Sequence, residues 1–124
     1  MPQSNSPRIL LVDRDSDRKE RIALLKKNGF TVYPALDIEQ ARERCKPGRY
    51  DLIIVNAGDD PHMALALCDH IANQDPRQLL LLMAAPDLHS SRGEQVVSSK
   101  PEALLERVRA LFAARHLEAR SLAA

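Results

Sequence analysis

Tryptophan is absent from this chain, and Phe30, Tyr33, Tyr50 and Phe112 are its only aromatic side chains. Stacking surfaces for bases or flavin rings are therefore scarce, and a core has to be built from Leu, Ile, Val and Ala. Long apolar runs are missing too. Leu79 to Pro86 falls far below the roughly 20 residues a membrane-spanning helix needs, and the start, MPQSNSPR, carries no apolar signal segment, so a cytoplasmic location without a membrane partner is expected. Neither sign of charge dominates, with 18 Lys plus Arg against 17 Asp plus Glu. The one-sided basic field that favours nucleic acid is lacking, and no nucleic-acid partner is expected. Cysteine is limited to Cys45 and Cys68, without CxxC spacing and inside apolar helical patterns, which predicts free buried thiols rather than a disulfide or metal site. There is no internal repeat, P-loop or dinucleotide-binding glycine pattern.

What is there is an alternation. RILLVD, from Arg8, is an apolar run closing on acid, as in a strand covered on both faces. DSDRKERIALLKKNGF follows with Ile22, Leu24 and Leu25 at helical spacing, a basic last turn at Lys26 and Lys27, and a stop at Gly29. TVYPA is a weaker strand whose Pro34 suits a sheet edge. Asp37 and Gln40 predict a capped helix running to about Lys46, with Ile38, Ala41 and Cys45 inward. DLIIVN is a third strand, and Pro61 opens a helix with Met63, Leu67 and Ile71 four apart. QLLLLMA and QVVSS complete five strands, and KPEALLERVRALFAAR the last helix, with Leu104, Leu105, Val108, Leu111 and Phe112 on one stripe. Strands alternating with helices predict an α/β fold, a parallel sheet between helical layers with right-handed crossovers. In such a sheet the functional groove lies beyond the carboxyl ends of the strands, which selects Asp13 and Arg14, Asn56 to Asp60, Met83 to Pro86 and Ser98 to Lys100.

Over residues 8–116 the chain resembles the receiver domains of bacterial response regulators. ILLVDRD is similar to that family's first strand and acidic pair, YDLIIVN to the strand that ends in the phospho-acceptor aspartate, LLLLMA to the strand that ends in Thr or Ser then Ala, and SSKPEALLERVRALF to the Lys-Pro and last helix. The resemblance implies a flavodoxin-like doubly wound five-stranded sheet of order 2-1-3-4-5. It also implies a domain over 8–116, a disordered N-terminus over 1–7, and a tail or the start of a linker helix over 117–124. In the family, acids and acceptor hold Mg²⁺, the aspartate attacks a phosphoryl donor, and the lysine and hydroxyl contact the phosphoryl oxygens.

This chain departs from that set. Asp13 and Lys100 match, but Arg14 stands at the second acid, Asn56 at the acceptor and Met83 at the hydroxyl. An amide oxygen is a poor nucleophile, so Asn56 predicts no aspartyl phosphorylation. Arg14 and the loss of two carboxylates predict that Mg²⁺ binding is lost, leaving no cofactor. Met83 makes no strong hydrogen bond to phosphoryl oxygen. The switch aromatic of the family is Val97 here, and the fourth helix is expected to be shortened or replaced by a loop within 85–95.

The bland assignments are that Asp15 caps the first helix, Asp59 or Asp60 the third, and Lys100 pairs with Asp13. His62, His70, His89 and His116 are read as surface residues rather than metal ligands. The expectation is a non-enzymatic pseudo-receiver that binds a protein partner or another copy of itself. Its surface is expected to lie on the fifth strand, last helix and loop 85–95, with Val96, Glu102, Glu106 and Arg109 as candidates. The alternatives are an active receiver using a displaced acid, Asp59 or Asp60, and a sensor of a small anion or nucleotide in the vacated groove.

Overall fold

The apolar run from Arg8 to Val12 forms strand β1, and its alternation decides the layering. Ile9 and Leu11 face one side of the sheet, Leu10 and Val12 the other, all four at most 3% exposed. The computed structural model describes residues 6–58, 60–84, 95–98 and 100–123, with 95–96 and 116–123 as backbone alone. β1 is followed by α1 (Arg18–Lys27), β2 (Thr31–Ala35), α2 (Ile38–Arg44), β3 (Leu52–Asn56), α3 (Pro61–Gln74), β4 (Leu79–Met83), β5 (Gln95–Val97) and α4 (Pro101–Ala123). The strands form one sheet of order β2-β1-β3-β4-β5, parallel throughout, as expected.

α2 and α3 cover the face of Leu10, Val12, Ile53, Val55 and Leu82, contributing Ala41, Cys45, Leu67, Cys68 and Ile71. α1 and α4 cover the face of Ile9, Leu11, Ile54, Leu81 and Met83, contributing Leu25, Leu104 and Val108. Each fully buried Leu or Ile is worth about 1.5–3 kcal/mol relative to leaving it in water. Both cysteines are free and buried, as predicted. β2 is an edge strand, so Pro34 removes no ladder donor that a further strand would need.

The helix ends follow their sequence signals. Asp37 accepts from the Gln40 N–H at 2.8 Å, while the Gln40 side chain accepts from the Leu36 N–H at 3.0 Å. Gly29, after α1, has φ 93°, a conformation that suits glycine. α2 ends at Arg44 rather than Lys46, because the Cys45 cap turns out of the helix ahead of Pro47 and Gly48. Arg109 of α4 donates to the Asn28 side-chain oxygen at the end of α1, tying the two helices of that layer together.

On two helices the buried face differs from the apolar spacing in the sequence. Met63 is 47% exposed, and Ala64 takes its place against the sheet, because α3 starts at the lip of a cleft and its first turn overhangs that opening. On α1 the buried residues are Arg21 and Leu25, one turn apart; Ile22 and Leu24 are only half-buried. The expected shortening of a helix within 85–95 lies, for 85–94, outside the described residues. Among the described residues no helix is long and apolar enough to cross a membrane.

Candidate functional site

At the carboxyl end of β1 the chain leaves the sheet with Asp13, whose side chain is fully buried. A bare carboxylate there would be prohibitive, and both of its oxygens are engaged. Oδ2 accepts from Arg21 Nε at 2.8 Å; Oδ1 accepts from Asn56 Nδ2 at 2.9 Å, from the Asp15 N–H at 3.0 Å and from Arg21 Nη2 at 3.4 Å. Arg21 is itself 2% exposed and pairs also with Asp15 at 3.2 Å. Burial alone would favour loss of its proton, but the hydrogen bonds and charges of Asp13 and Asp15 outweigh that and raise the guanidinium above its ordinary value. Asp15 is held below the usual carboxylate range, first by the hydrogen bond from the Asp17 N–H and then by Arg21. Its share of the stability is therefore complete above the unfolded carboxylate value and lost as the pH falls through the lower folded one.

Asn56 closes the arrangement from β3. Its Nδ2 donates to Asp13 while its Oδ1 accepts from the Gly58 N–H at 3.0 Å, so both halves of the amide are used. A carboxylate has no donor for the first of these bonds. Asp60, four residues after Asn56, accepts from the Met63 N–H at 3.2 Å and caps α3, as expected. Asp60→Ala should cost about 1 kcal/mol in a urea titration, the usual value of such a cap.

The expected site is thus assembled in part. Asp13 and Asn56 meet, and Asn56 lies in register with Met83 of β4. Met83 is fully buried in the α1/α4-side core, and Val97, 8% exposed, packs in the same cluster. Lys100 is exposed, and the expected pair with Asp13 is not made: Arg21 holds that carboxylate instead, reaching it from the first turn of α1. Arg14 is exposed on the wall of the cleft, so the buried positive charge comes from Arg21 rather than from Arg14. Asp15 does not cap α1; Asp17 is the residue at the cap, and Asp15 turns to Arg21. Asp59 lies outside the described residues. Glu102, Glu106 and Arg109 are exposed on α4, with Arg109 engaged by Asn28; Val96 is described as backbone only. His62 is exposed and His70 half-buried, and no group of three or more His, Cys, Asp or Glu among the described residues could hold a metal ion.

Above this cluster opens a cleft of about 820 Å³ between the β1–α1, β2–α2 and β3–α3 connections. Its walls include Asp13, Arg14 and Asn56, but also Leu36, Asp37, Glu39 and Met63, which the sequence reading did not assign to a site. The groove is therefore displaced toward β2 and α2, away from Met83 and Lys100. The switch of direction between β2 and β3, on either side of β1, accounts for its place. Burial pushes the Cys45 thiol up, which leaves it little thiolate at neutral pH.

No protein-family model matches the chain, and no curated protein does. Solved structures do. The chain is similar to a CheY-like receiver domain protein from Methanospirillum hungatei JF-1 (16% identity, 92% of this chain and 99% of that one, TM-score 0.75). It is likewise similar to the chemotaxis protein CheY4 of Vibrio cholerae (19% identity, 84% and 97%, TM-score 0.69). A third likeness is to a member of a family of streptococcal redox sensors described as evolved from two-component response regulators (20% identity, 94% and 55%, TM-score 0.80). At these identities the likeness establishes the fold, a CheY-like flavodoxin fold.

Proposed function

We propose that this chain is a pseudo-receiver, a regulatory module of bacterial signal transduction that acts by binding protein and not by phosphoryl transfer. The observation that carries the reading is the occupation of Asp13. A hard divalent cation needs several free oxygen ligands. Here the acid of β1 is fully buried, bonded to a guanidinium and an amide, and the neighbouring Asp15 shares the same guanidinium. The donor set does not fit Mg²⁺, and no step is routed through it. The nucleophile is missing as well, since Asn56 offers an amide whose oxygen already accepts a hydrogen bond.

A displaced acceptor at Asp60 is disfavoured, because one oxygen of that carboxylate caps α3 and Arg21 holds the acid of β1 that would have to bring a cation to it. A redox role like that named for the streptococcal proteins finds no exposed thiol in Cys45 or Cys68. The partner surface suggested by the fold is β5 with the exposed side of α4, where Glu102 and Glu106 stand free of the core, and self-association through that surface belongs to the same reading.

The test is the intact mass of the protein after incubation with acetyl phosphate and Mg²⁺, beside an Asn56→Asp variant. The wild type is expected to gain no phosphoryl group, and so is the variant, since Arg21 still pairs with Asp13 and Met83 still lacks a hydroxyl. One phosphoryl group on the wild type would overturn the proposal.

A further inference from the structure

Among the described residues three large hydrophobic side chains are exposed: Tyr33 at 41%, Leu36 at 45% and Met63 at 47%. Single apolar side chains on a surface need no explanation, but Leu36 and Met63 line the same cleft, one from the β2–α2 connection and one from the first turn of α3. The cleft between them, about 820 Å³, has room for several side chains of another molecule. Methionine at such a lip is an adaptable contact, able to repack around different apolar shapes.

The charge around the opening selects among occupants. Five carboxylates line it, Asp13, Asp15, Asp37, Glu39 and Asp60, against Arg14 on its wall and Arg21 beneath Asp13. Arg21 neutralises the two at the bottom only in part. Asp37 and Asp60 each direct a single oxygen to a helix cap, and Glu39 is exposed and forms no hydrogen bond or ion pair among the described residues. The outer part of the cleft is therefore apolar and acidic. Phosphate-bearing ligands are repelled, whereas an apolar side chain beside a lysine or arginine is matched on both counts.

We propose that the mouth of this cleft is a docking site for a basic amphipathic segment of a partner protein, its apolar side chains seated on Leu36 and Met63 and its cationic groups against Glu39, Asp37 and Asp60. This mode of recognition lays an amphipathic helix into a groove. It is a second surface, on the opposite layer from α4, and it rests on the reading that the cleft carries out no phosphoryl chemistry.

The experiment uses two labelled probes, a short helical peptide of leucine and lysine and its counterpart with glutamate for lysine, titrated by fluorescence anisotropy and by amide NMR without Mg²⁺ or phosphodonor. The lysine peptide is expected to bind and to shift the amides of Leu36 to Glu39 and of Met63 and Ala64. The Leu36→Ser/Met63→Ser double variant and, separately, Glu39→Lys are each expected to weaken it about tenfold, the loss that follows removal of an anchor contact. All these positions are exposed, and circular dichroism checks that the variants fold. No binding, equal binding of both peptides, shifts centred on α4, or spermidine reproducing the same shifts would each overturn the proposal. Because no phosphodonor is present, these outcomes are separate from the mass measurement: a phosphoryl adduct overturns the silent-module reading, and failed docking leaves that reading intact.

Discussion

Arg21→Met should lower the stability of the domain by about 3–5 kcal/mol, the cost of stripping one partner from a buried ion pair. The effect is large because Asp13 would keep its burial and lose its counter-charge, leaving Asn56 and one backbone N–H to solvate it. For a domain whose total stability is on the order of 5–15 kcal/mol, that is a drop in melting temperature of roughly 10–20 °C, read by circular dichroism at neutral pH. The double variant Arg21→Met/Asp13→Asn should recover at least half of the loss, since the amide retains an acceptor for Asn56 and Asp15 while carrying no charge. A single variant within about 1 kcal/mol of wild type would mean that the pair contributes little. Failure of the double variant to recover would assign the loss to the missing arginine stem instead.

Asn56→Asp, the change that puts a carboxylate at the end of β3, should destabilise the fold by about 2–4 kcal/mol at neutral pH. The amide nitrogen that donates to Asp13 at 2.9 Å would be replaced by an oxygen, placing two carboxylates in contact where one is already fully buried. Like charges that close hold a proton between them, so one carboxyl of the folded pair titrates above its unfolded value. A raised folded value gives stability that is present at low pH and lost as the pH rises through it. The deficit should therefore shrink as the pH is lowered from neutral toward about pH 5 and grow as it is raised, in urea unfolding series of both proteins. A deficit independent of pH would sink this account. Added Mg²⁺ should not remove it, because Arg21 and Arg14 remain in place.

The strands were legible because each is a dense apolar run with its own stop: RILLV before Asp13, LIIVN before the glycine turn, LLLLM before Ala84. Such runs have few other ways to be buried. Asn56 and Met83 were also legible as neighbours, from their equivalent places at the ends of β3 and β4. Arg21 was not. In RKERIALLKK it stands among five other charged residues and reads as part of a solvated face. The signal was present in a weak form, since the buried Leu25 counted back one turn lands on position 21, and a charge on the inward stripe of a helix next to a buried acid is a pairing candidate. Met63 hid its place for the opposite reason: the series 63, 67, 71 fits a helix stripe, and only the tertiary position of the first turn of α3 shows that it overhangs a cleft. The cleft itself draws Leu36 from the β2–α2 connection and Glu39 from the first turn of α2, where the sequence signal is that of a helix cap and nothing marks a cleft lining.

The guanidinium paired with Asp13 also sets how the carboxyl end of the sheet responds to its surroundings. A dissolved ion must be captured from solution, and its occupancy follows its concentration. A cation attached by a side chain is present at an effective concentration set by the length of its tether and never leaves. Chelators cannot extract it, and dilution does not release it. The β1–α1 turn is thus a part of the molecule whose shape is buffered against ionic composition, a fixed reference point at the carboxyl end of the sheet.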